Sequence, residues 1–435
     1  MKIKHSSVLL ILLLTVPLFL DGGLNAKAVA AQTALDLYFG VDVAYGDLAA
    51  TERIIDNVSS YTNFFVVGCS GDYNETRLTG VCDYVHSKGL TFIVFSDDPR
   101  YPSKQWIQTA KDTYGGSFLG FYFYDEPGGR QLDQAKYPTV PSAKNYTDAA
   151  NKYVGITKWW LRNGLWAITN SFAYPTEYQL FTSDYGLYWY DYQGGYDTVF
   201  AEFGWNYSRQ LNVALCRGAA TALGKDWGVI MTWTYMQPPY IESGPELYND
   251  MVLAYQNGAK YILIFDSNEN YTADILQQEH LDAIQQFWQY VQDNPRTISA
   301  ASDRTAYVLP QYYAYGFRGP SDKIWGLWGP DAITSDICMN ISALMLQYDT
   351  NLDIIYPDGP AVESIGYQNI LYWNDTKLAS LDPPDPPQNT PPPLNGTTGY
   401  LYAIAASTLI AAAVGATVLE LKRRRSRQPK AIACP

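Results

Sequence analysis

The sequence predicts an α/β protein whose main domain, residues 31–298, is a TIM (β/α)8 barrel. Apolar runs with strand character recur along the chain, and amphipathic segments separate them at a spacing of roughly thirty residues, as in such barrels. The runs begin near Asp36, Phe64, Leu90, Phe118, Leu165, Asp197, Gly228 and Lys260. The alternative is an open doubly wound sheet, which usually carries a glycine-rich phosphate-binding turn after an early strand, and the sequence has none.

Apolar stripes and stop residues place helices between these strands. The predicted helices cover residues 51–61, 146–161, 211–223, 247–255 and 273–291. Asn163 and Gly164 are expected to end the second of them, so that residues 165–170 form the fifth strand.

A second pattern follows the barrel. Residues 306–310 have strand character, 335–348 helix character, and 352–358 and 367–373 strand character again. Residues 299–380 are therefore predicted to form a small α/β accessory module.

The two ends of the chain have the composition of targeting segments. Lys2 and Lys4 precede an apolar run, so residues 1–30 are predicted to be a signal peptide. Residues 381–398 are proline-rich and predict a stalk, and 399–421 are apolar over about the length of a transmembrane helix. The basic tail, 422–435, indicates the cytoplasmic side. We therefore expect a single-pass cell-surface protein with an extracellular N-terminal ectodomain.

Charge and glycosylation signals agree with that location. The net charge is −13, and setting aside six Lys/Arg and one Glu of the tail, and three Lys and one Asp of the leader, leaves about −20. Such a surface disfavours nucleic acid as a partner. Asn-X-Ser/Thr sequons, which predict a glycoprotein, begin at Asn57, Asn74, Asn145, Asn206, Asn270, Asn340, Asn374 and Asn395.

Cysteine is sparse and indicates neither a metal site nor a redox site. The sequence contains no CxxC pair, and no metal or cofactor is expected. Cys69 and Cys82 are either a disulfide or two buried thiols.

The predicted fourth strand leads directly into two carboxylates. The sequence 118–129 is FLGFYFYDEPGG, an apolar run followed by Asp125 and Glu126. In parallel barrels, active sites lie at this carboxyl end of the strands. Pro127 is expected to restrict Glu126 to extended backbone.

Other strand ends add carboxylates and aromatic rings at the same edge. Glu202 follows the sixth predicted strand and, with Asp125 and Glu126, completes the candidate catalytic set. The candidate substrate-binding residues are Asp42, Asp97, Tyr124, Asn170, Trp205, Trp233, Tyr235 and Asp266. For Asp42, Asp98 and Asp266 an equal alternative is a structural role as a helix cap or hydrogen-bond acceptor.

Missing residue types narrow the chemistry. His5 lies in the leader, and His86 and His280 fall on predicted helices, so a histidine-based nucleophile or catalytic zinc site is not expected. No lysine ends a strand, which disfavours Schiff-base chemistry. A cleft with carboxylates and aromatic rings matches glycoside cleavage, in which one carboxylic acid protonates the leaving oxygen and a second carboxylate attacks carbon or activates water.

The carboxylates at the strand ends make residues 35–294 resemble TIM-barrel glycoside hydrolases, at the level of the superfamily. Acidic residues ending strands four and six are similar to the alpha-galactosidase-like clan. That resemblance implies Asp125 or Glu126 as nucleophile or base and Glu202 as acid. Tyr122 and Tyr124 replace the two aspartates of the chitinase-like DxDxE motif, so substrate-assisted catalysis is not implied. Another clan of these enzymes has its nucleophile on strand seven. The predicted strand seven of this sequence offers Trp233, Tyr235 and Gln237 but no carboxylate, so the resemblance to that clan is weaker.

Two other functions remain open. The ectodomain is alternatively a non-catalytic surface glycoprotein, a coat component or a carbohydrate-binding protein, because sequons close to Glu202 and Asp266 place glycans near the barrel opening. The acidic strand ends could also bind a cation such as Ca²⁺, although the sequence shows no oxygen cage for it.

Overall fold

A computed structural model describes residues 36–68, 73–98, 101–135, 139–169, 178–272, 274–319 and 321–375, with backbone alone for 163–169. The predicted signal peptide, stalk, membrane helix and basic tail lie outside these residues, as do Cys69, Asn170 and Asn395. None of the helices within the described ranges combines the length and the apolar character that crossing a bilayer requires.

The predicted TIM barrel is confirmed. Eight parallel strands pair in sequence order, and β8 pairs with β1 to close the barrel. The strands are Tyr38–Asp42 (β1), Phe64–Gly68 (β2), Thr91–Ser96 (β3), Phe118–Phe123 (β4), Gln179–Asp184 (β5), Thr198–Phe203 (β6), Asp226–Met231 (β7) and Tyr261–Phe265 (β8).

Helices alternate with the strands and cover the outside of the barrel. They are Leu48–Val58 (α1), Glu75–Ser87 (α2), Lys104–Tyr114 (α3), Pro127–Asp133 (α4), Tyr146–Thr169 (α5), Tyr188–Gly194 (α6), Arg209–Leu223 (α7), Gly244–Gln256 (α8) and Gln278–Asp293 (α9). The five helices whose bounds were predicted, α1, α5, α7, α8 and α9, end within a few residues of those bounds, except that α5 is longer and α9 begins later.

The predicted fifth strand is wrong. Helix α5 continues through residues 165–169, and β5 lies further on, at Gln179–Asp184. A short apolar run fits a buried helix as well as a buried strand, and one glycine inside a helix costs only about 1 kcal/mol. Ser183 and Asp184 therefore end the fifth strand in place of the predicted Asn170.

Large side chains fill the inside of the barrel. The core cluster there includes Phe64, Phe95, Tyr122, Phe181 and Tyr261, all buried. As in other TIM barrels, the interior is a packed core, so ligands have access only at its open ends.

The region after the barrel follows the predicted strand, helix, strand, strand order. Its elements are Thr305–Val308 (β9), Thr334–Tyr348 (α10), Leu352–Ile355 (β10), the short helix Val362–Ile365 (α11) and Asn369–Tyr372 (β11). The three strands form a parallel sheet in the order β10, β9, β11. Arg217 of α7 joins this sheet to the barrel, because its Nε donates to buried Asp353 over 2.8 Å.

Candidate active site

Carboxylates from four strands meet at the C-terminal end of the barrel. Asp42 ends β1, Asp125 and Glu126 follow β4, Glu202 lies in β6, and Asp266 follows β8. Burial, together with the negative charges of Asp125 and Asp266, raises the pKa of Asp42 to about 8. These groups therefore lie close enough to influence one another's protonation.

The hydroxyl of Ser183 lies between two of the predicted catalytic carboxyls. Ser183 Oγ is 2.9 Å from Asp125 Oδ1 and 2.7 Å from Glu202 Oε1. Tyr122 also donates its hydroxyl to Asp125 Oδ1. Asp125 Oδ1 and Glu202 Oε1 can be no farther apart than the two Ser183 bonds laid end to end. That limit is comparable with the separation of about 5–5.5 Å found in retaining glycosidases.

The surroundings of Glu202 favour its protonated form. It is 4% exposed, and burial, followed by the charges of Glu126 and Asp125, raises its pKa well above the usual value. Glu126 is half-buried and forms a carboxyl–carboxyl hydrogen bond with Glu202, while burial and the charge of Asp125 raise the pKa of Glu126 to about 8. Burial and the nearby negative charges thus favour the neutral forms of Glu126 and Glu202.

The expected extended backbone at Glu126 is wrong. Glu126 has φ 53° and ψ 46°, in the left-handed region. Pro127 does exclude the right-handed helical region for the residue before it. The left-handed alternative is stabilised because Glu126 N donates to Ser183 O of the neighbouring strand over 3.1 Å.

Two of the predicted aromatic residues share this unusual backbone. Tyr124 has φ 58° and Trp205 has φ 46°. Trp205 N donates to Trp233 O over 2.8 Å, which ties the β6 loop to the β7 loop. Both Tyr124 and Trp205 are partly exposed, and the Tyr124 ring packs 5.6 Å from that of Trp160 in α5.

An aromatic wall flanks the carboxylates on the β1, β7 and β8 side. Trp233 is fixed by its Nε1, which donates to Ser267 O over 2.7 Å, and its ring lies 6.3 Å from that of Tyr271. Tyr271 lies 4.9 Å from Tyr45. Tyr45 and Tyr271 were missed in the sequence because they occur in loops, beyond the strand ends. Tyr235 is 48% exposed.

The remaining predicted binding residues have other partners. Asp266 accepts backbone N–H groups from Asp274, Ile275 and Leu276, which corresponds to the alternative structural role. Asp97 is exposed and accepts from the Tyr73 hydroxyl over 3.1 Å. Asn170 lies outside the described residues.

Comparison with known proteins shows no family for this chain. No family model matches the chain, and no curated protein matches its sequence. Alpha-L-fucosidase isoenzyme 2 from Paenibacillus thiaminolyticus has 12% identity and a TM-score of 0.46 over 77% of this chain. The chain spans 59% of that fucosidase.

Two further glycoside hydrolases match over the barrel. The GH99 endo-alpha-mannosidase from Bacteroides thetaiotaomicron has 13% identity and a TM-score of 0.39 over 59% of this chain and 97% of its own. The beta-mannanase from the blue mussel Mytilus edulis has 8% identity and a TM-score of 0.36 over 60% and 92%. A synthase and an aldolase also match part of this chain.

Proposed function

We propose that the chain is a cell-surface glycoside hydrolase that acts on an oligo- or polysaccharide through Asp125 and Glu202. The observation that carries the proposal is the Ser183 hydroxyl between these two carboxyls. It supports a pair at the spacing of a retaining enzyme, in which one carboxylate is the nucleophile and the other the acid.

The hydrogen bonds around Ser183 assign the two roles. A serine hydroxyl has one proton, so it donates to one carboxyl and accepts from the other. Asp125 Oδ1 also accepts the Tyr122 hydroxyl, and these two contacts hold the side chain in one position for attack. Glu202 is buried with a raised pKa, which favours its acid form. Asp125 is therefore the nucleophile and Glu202 the proton donor.

The reaction follows from these states. Glu202 gives its proton to the glycosidic oxygen while Asp125 attacks the anomeric carbon, which forms a glycosyl–Asp125 ester and releases the leaving sugar. Glu202, now ionised, takes a proton from water, and that water displaces Asp125 from the sugar. Both carboxyls then return to their starting states. Glu126 touches Glu202, and its charge helps to keep Glu202 protonated.

The aromatic wall supports carbohydrate as the ligand. Tyr271, whose ring lies 6.3 Å from that of Trp233, is about half exposed, and so is Tyr235 in the loop after β7. Exposed aromatic faces of this kind pack against the apolar faces of sugar rings.

Sugar release by the purified chain tests the proposal. The chain is incubated with a panel of 4-nitrophenyl glycosides and soluble polysaccharides, and Glu202→Gln serves as the matched inactive variant. Hydrolysis of one member by the wild type and not by Glu202→Gln supports the proposal. Equal hydrolysis by both proteins contradicts it.

A non-catalytic surface glycoprotein is the second candidate, favoured by the sequons near the opening. Asn206 and Asn270 are both exposed, and Asn270 precedes Tyr271 of the aromatic wall. Glycans at these positions would narrow access to the carboxylates. Binding of an oligosaccharide without its hydrolysis, in protein carrying Asn206→Gln and Asn270→Gln as well as in the wild type, would favour this candidate.

A further inference from the structure

Helix α4 begins directly after the carboxylates of β4, and its first turn is capped from β5. Glu126 occupies the N-cap position, where an acidic side chain commonly accepts a bond from the first turn. Within the described structure, the Glu126 side chain makes no such bond. Asp184 accepts instead, from Gly128 N at Oδ2 and from Gly129 N at Oδ1 over 2.8 Å. The Glu126 carboxyl is thereby left to contact Glu202.

Strand β5 holds the backbone of Glu126 on both sides. Glu126 N donates to Ser183 O, and the helix that follows Glu126 is bonded to Asp184. A residue other than glycine keeps a left-handed backbone only where its surroundings fix it. These contacts between β4 and β5 supply that constraint.

Gly128 and Gly129 allow α4 to approach β5 as closely as this cap requires. A Cβ at Gly128 would lie 2.5 Å from Gly186 O and 2.8 Å from Asp184 Oδ2. A Cβ at Gly129 would lie 2.1 Å from the Tyr185 ring. A side chain at either position would push α4 away from β5.

The Asp184 side chain is itself held in place by other hydrogen bonds. It is fully buried, and its Oδ1 also accepts from Tyr185 N over 2.8 Å and Gly186 N over 3.0 Å. Asp191 of α6 is hydrogen-bonded to Asp184 and receives the hydroxyl of Tyr153. Burial and the charge of Asp184 raise the pKa of Asp191 well above its usual value, so Asp191 is the donor in that pair.

We infer that Asp184 is a positioning residue, which caps α4 from the neighbouring strand and so holds the Glu126 carboxyl against Glu202. The effect of this positioning on catalysis rests on the proposed function. The contact itself can be measured without any substrate, because Glu126 reports its own surroundings through its titration.

The test follows the Glu126 carboxyl by carbon-13 NMR in protein labelled at the glutamate carboxyls, with the resonance assigned by its loss in Glu126→Gln. Burial and, to a smaller extent, the charges of Asp125 and Asp184 raise the pKa of Glu126 to about 8, against the opposing effects of Arg130 and the hydrogen bond with Glu202. Once released to solvent, Glu126 should titrate closer to the ordinary glutamate value of about 4.3.

Two variants break the cap in different ways. Gly128→Ala keeps every charge and displaces α4, so the pKa of Glu126 should fall by at least about one unit, which is beyond the ordinary scatter of glutamates in proteins. Asp184→Asn should produce a larger fall, because a carboxylate charge is lost as well. Asp331→Asn is the control, since Asp331 accepts from Ile333 N at the start of α10, in the accessory module.

The inference is overturned if Glu126 in Gly128→Ala titrates as in the wild type, or if Asp331→Asn shifts Glu126 equally. Should Asp184→Asn fail to fold, Gly128→Ala alone decides. A shifted Glu126 in a protein that hydrolyses no glycan would uphold the positioning role and remove only the proposed enzyme.

Discussion

Glu202 Oε1 lies 2.7 Å from Ser183 Oγ, so an acid in β6 is bonded to a hydroxyl at the end of β5. When Glu202 is ionised, the Ser183 hydroxyl can turn to donate to it, and this bond lowers the pKa of Glu202 against the larger effect of burial. Ser183→Ala should therefore move the basic limb of the pH–rate profile upward. It should also reduce kcat by about 10- to 100-fold, the range for a lost hydrogen bond to a charged group.

A matched control for this prediction is Ser96→Ala. Ser96 is a buried serine at the end of β3 whose Oγ donates to Asp98 O over 2.7 Å. The Ser96→Ala variant should leave the pH–rate profile unchanged. Ser183→Thr retains the hydroxyl, so it should restore part of the activity that Ser183→Ala loses. A profile unchanged in Ser183→Ala would contradict the bridge between Asp125 and Glu202.

The buried carboxyls predict that the protein is most stable in acid. Burial raises the pKa of Asp42 to about 8, of Asp266 to about 6 and of Glu242 to about 9. The folded state therefore binds more protons than the unfolded state between about pH 4 and 9. By linkage, the free energy of unfolding falls as the pH rises through this window, by about 1.4 kcal/mol per pH unit for each extra proton.

Urea unfolding at a series of pH values measures this slope. Asp42→Asn removes one of the titrating groups, so its curve should be flatter than that of the wild type between about pH 4 and 8. A free energy of unfolding that increases from pH 4 to pH 8 in the wild type would contradict the account of the buried carboxyls.

The barrel could be predicted from the sequence because its strands are long apolar runs that end in polar residues. Phe118–Phe123 and Thr198–Phe203 follow this rule, and Asp125, Glu126 and Glu202 were found from it. The strand Gln179–Asp184 reads QLFTSD and mixes polar with apolar residues, whereas the preceding residues 165–169 are more apolar and continue a helix.

That error in β5 concealed the residues that organise the candidate site. Ser183 and Asp184 could not be assigned to a strand end, and their bonds to Asp125, Glu202 and α4 join segments far apart in the sequence. The left-handed backbone of Glu126 depends on the same strand. The local preference of a residue before proline for extended backbone therefore could not predict it.

Gly120→Leu should destabilise the barrel. A Cβ at Gly120 would lie 2.0 Å from Gln179 O in β5, so the strands would have to separate. Overpacking of this kind costs about 1–3 kcal/mol or more. Gly116→Leu is the control, because a Cβ there would meet nothing within 4 Å. Equal thermal unfolding of the two variants would contradict the close pairing of β4 and β5.

The predicted membrane helix, residues 399–421, can be tested by truncation. A chain that ends at Leu381 keeps the barrel and the accessory module, and it should be recovered from the soluble fraction after cell lysis, whereas the full chain should sediment with membranes. Persistent membrane association of the truncated protein would contradict a single C-terminal anchor.

The mechanism is tested most directly by the mass of the protein after reaction with a 2-deoxy-2-fluoro glycosyl fluoride that matches the preferred sugar. The account predicts one added glycosyl group, located on Asp125 by peptide mapping and lost in Asp125→Asn, because a retaining enzyme forms a covalent ester there. Hydrolysis of the matching natural glycoside by Asp125→Asn should fall by at least about a thousandfold. Wild-type activity in Asp125→Asn, or an adduct on a residue other than Asp125, would contradict the assignment of Asp125 and Glu202 as the catalytic pair.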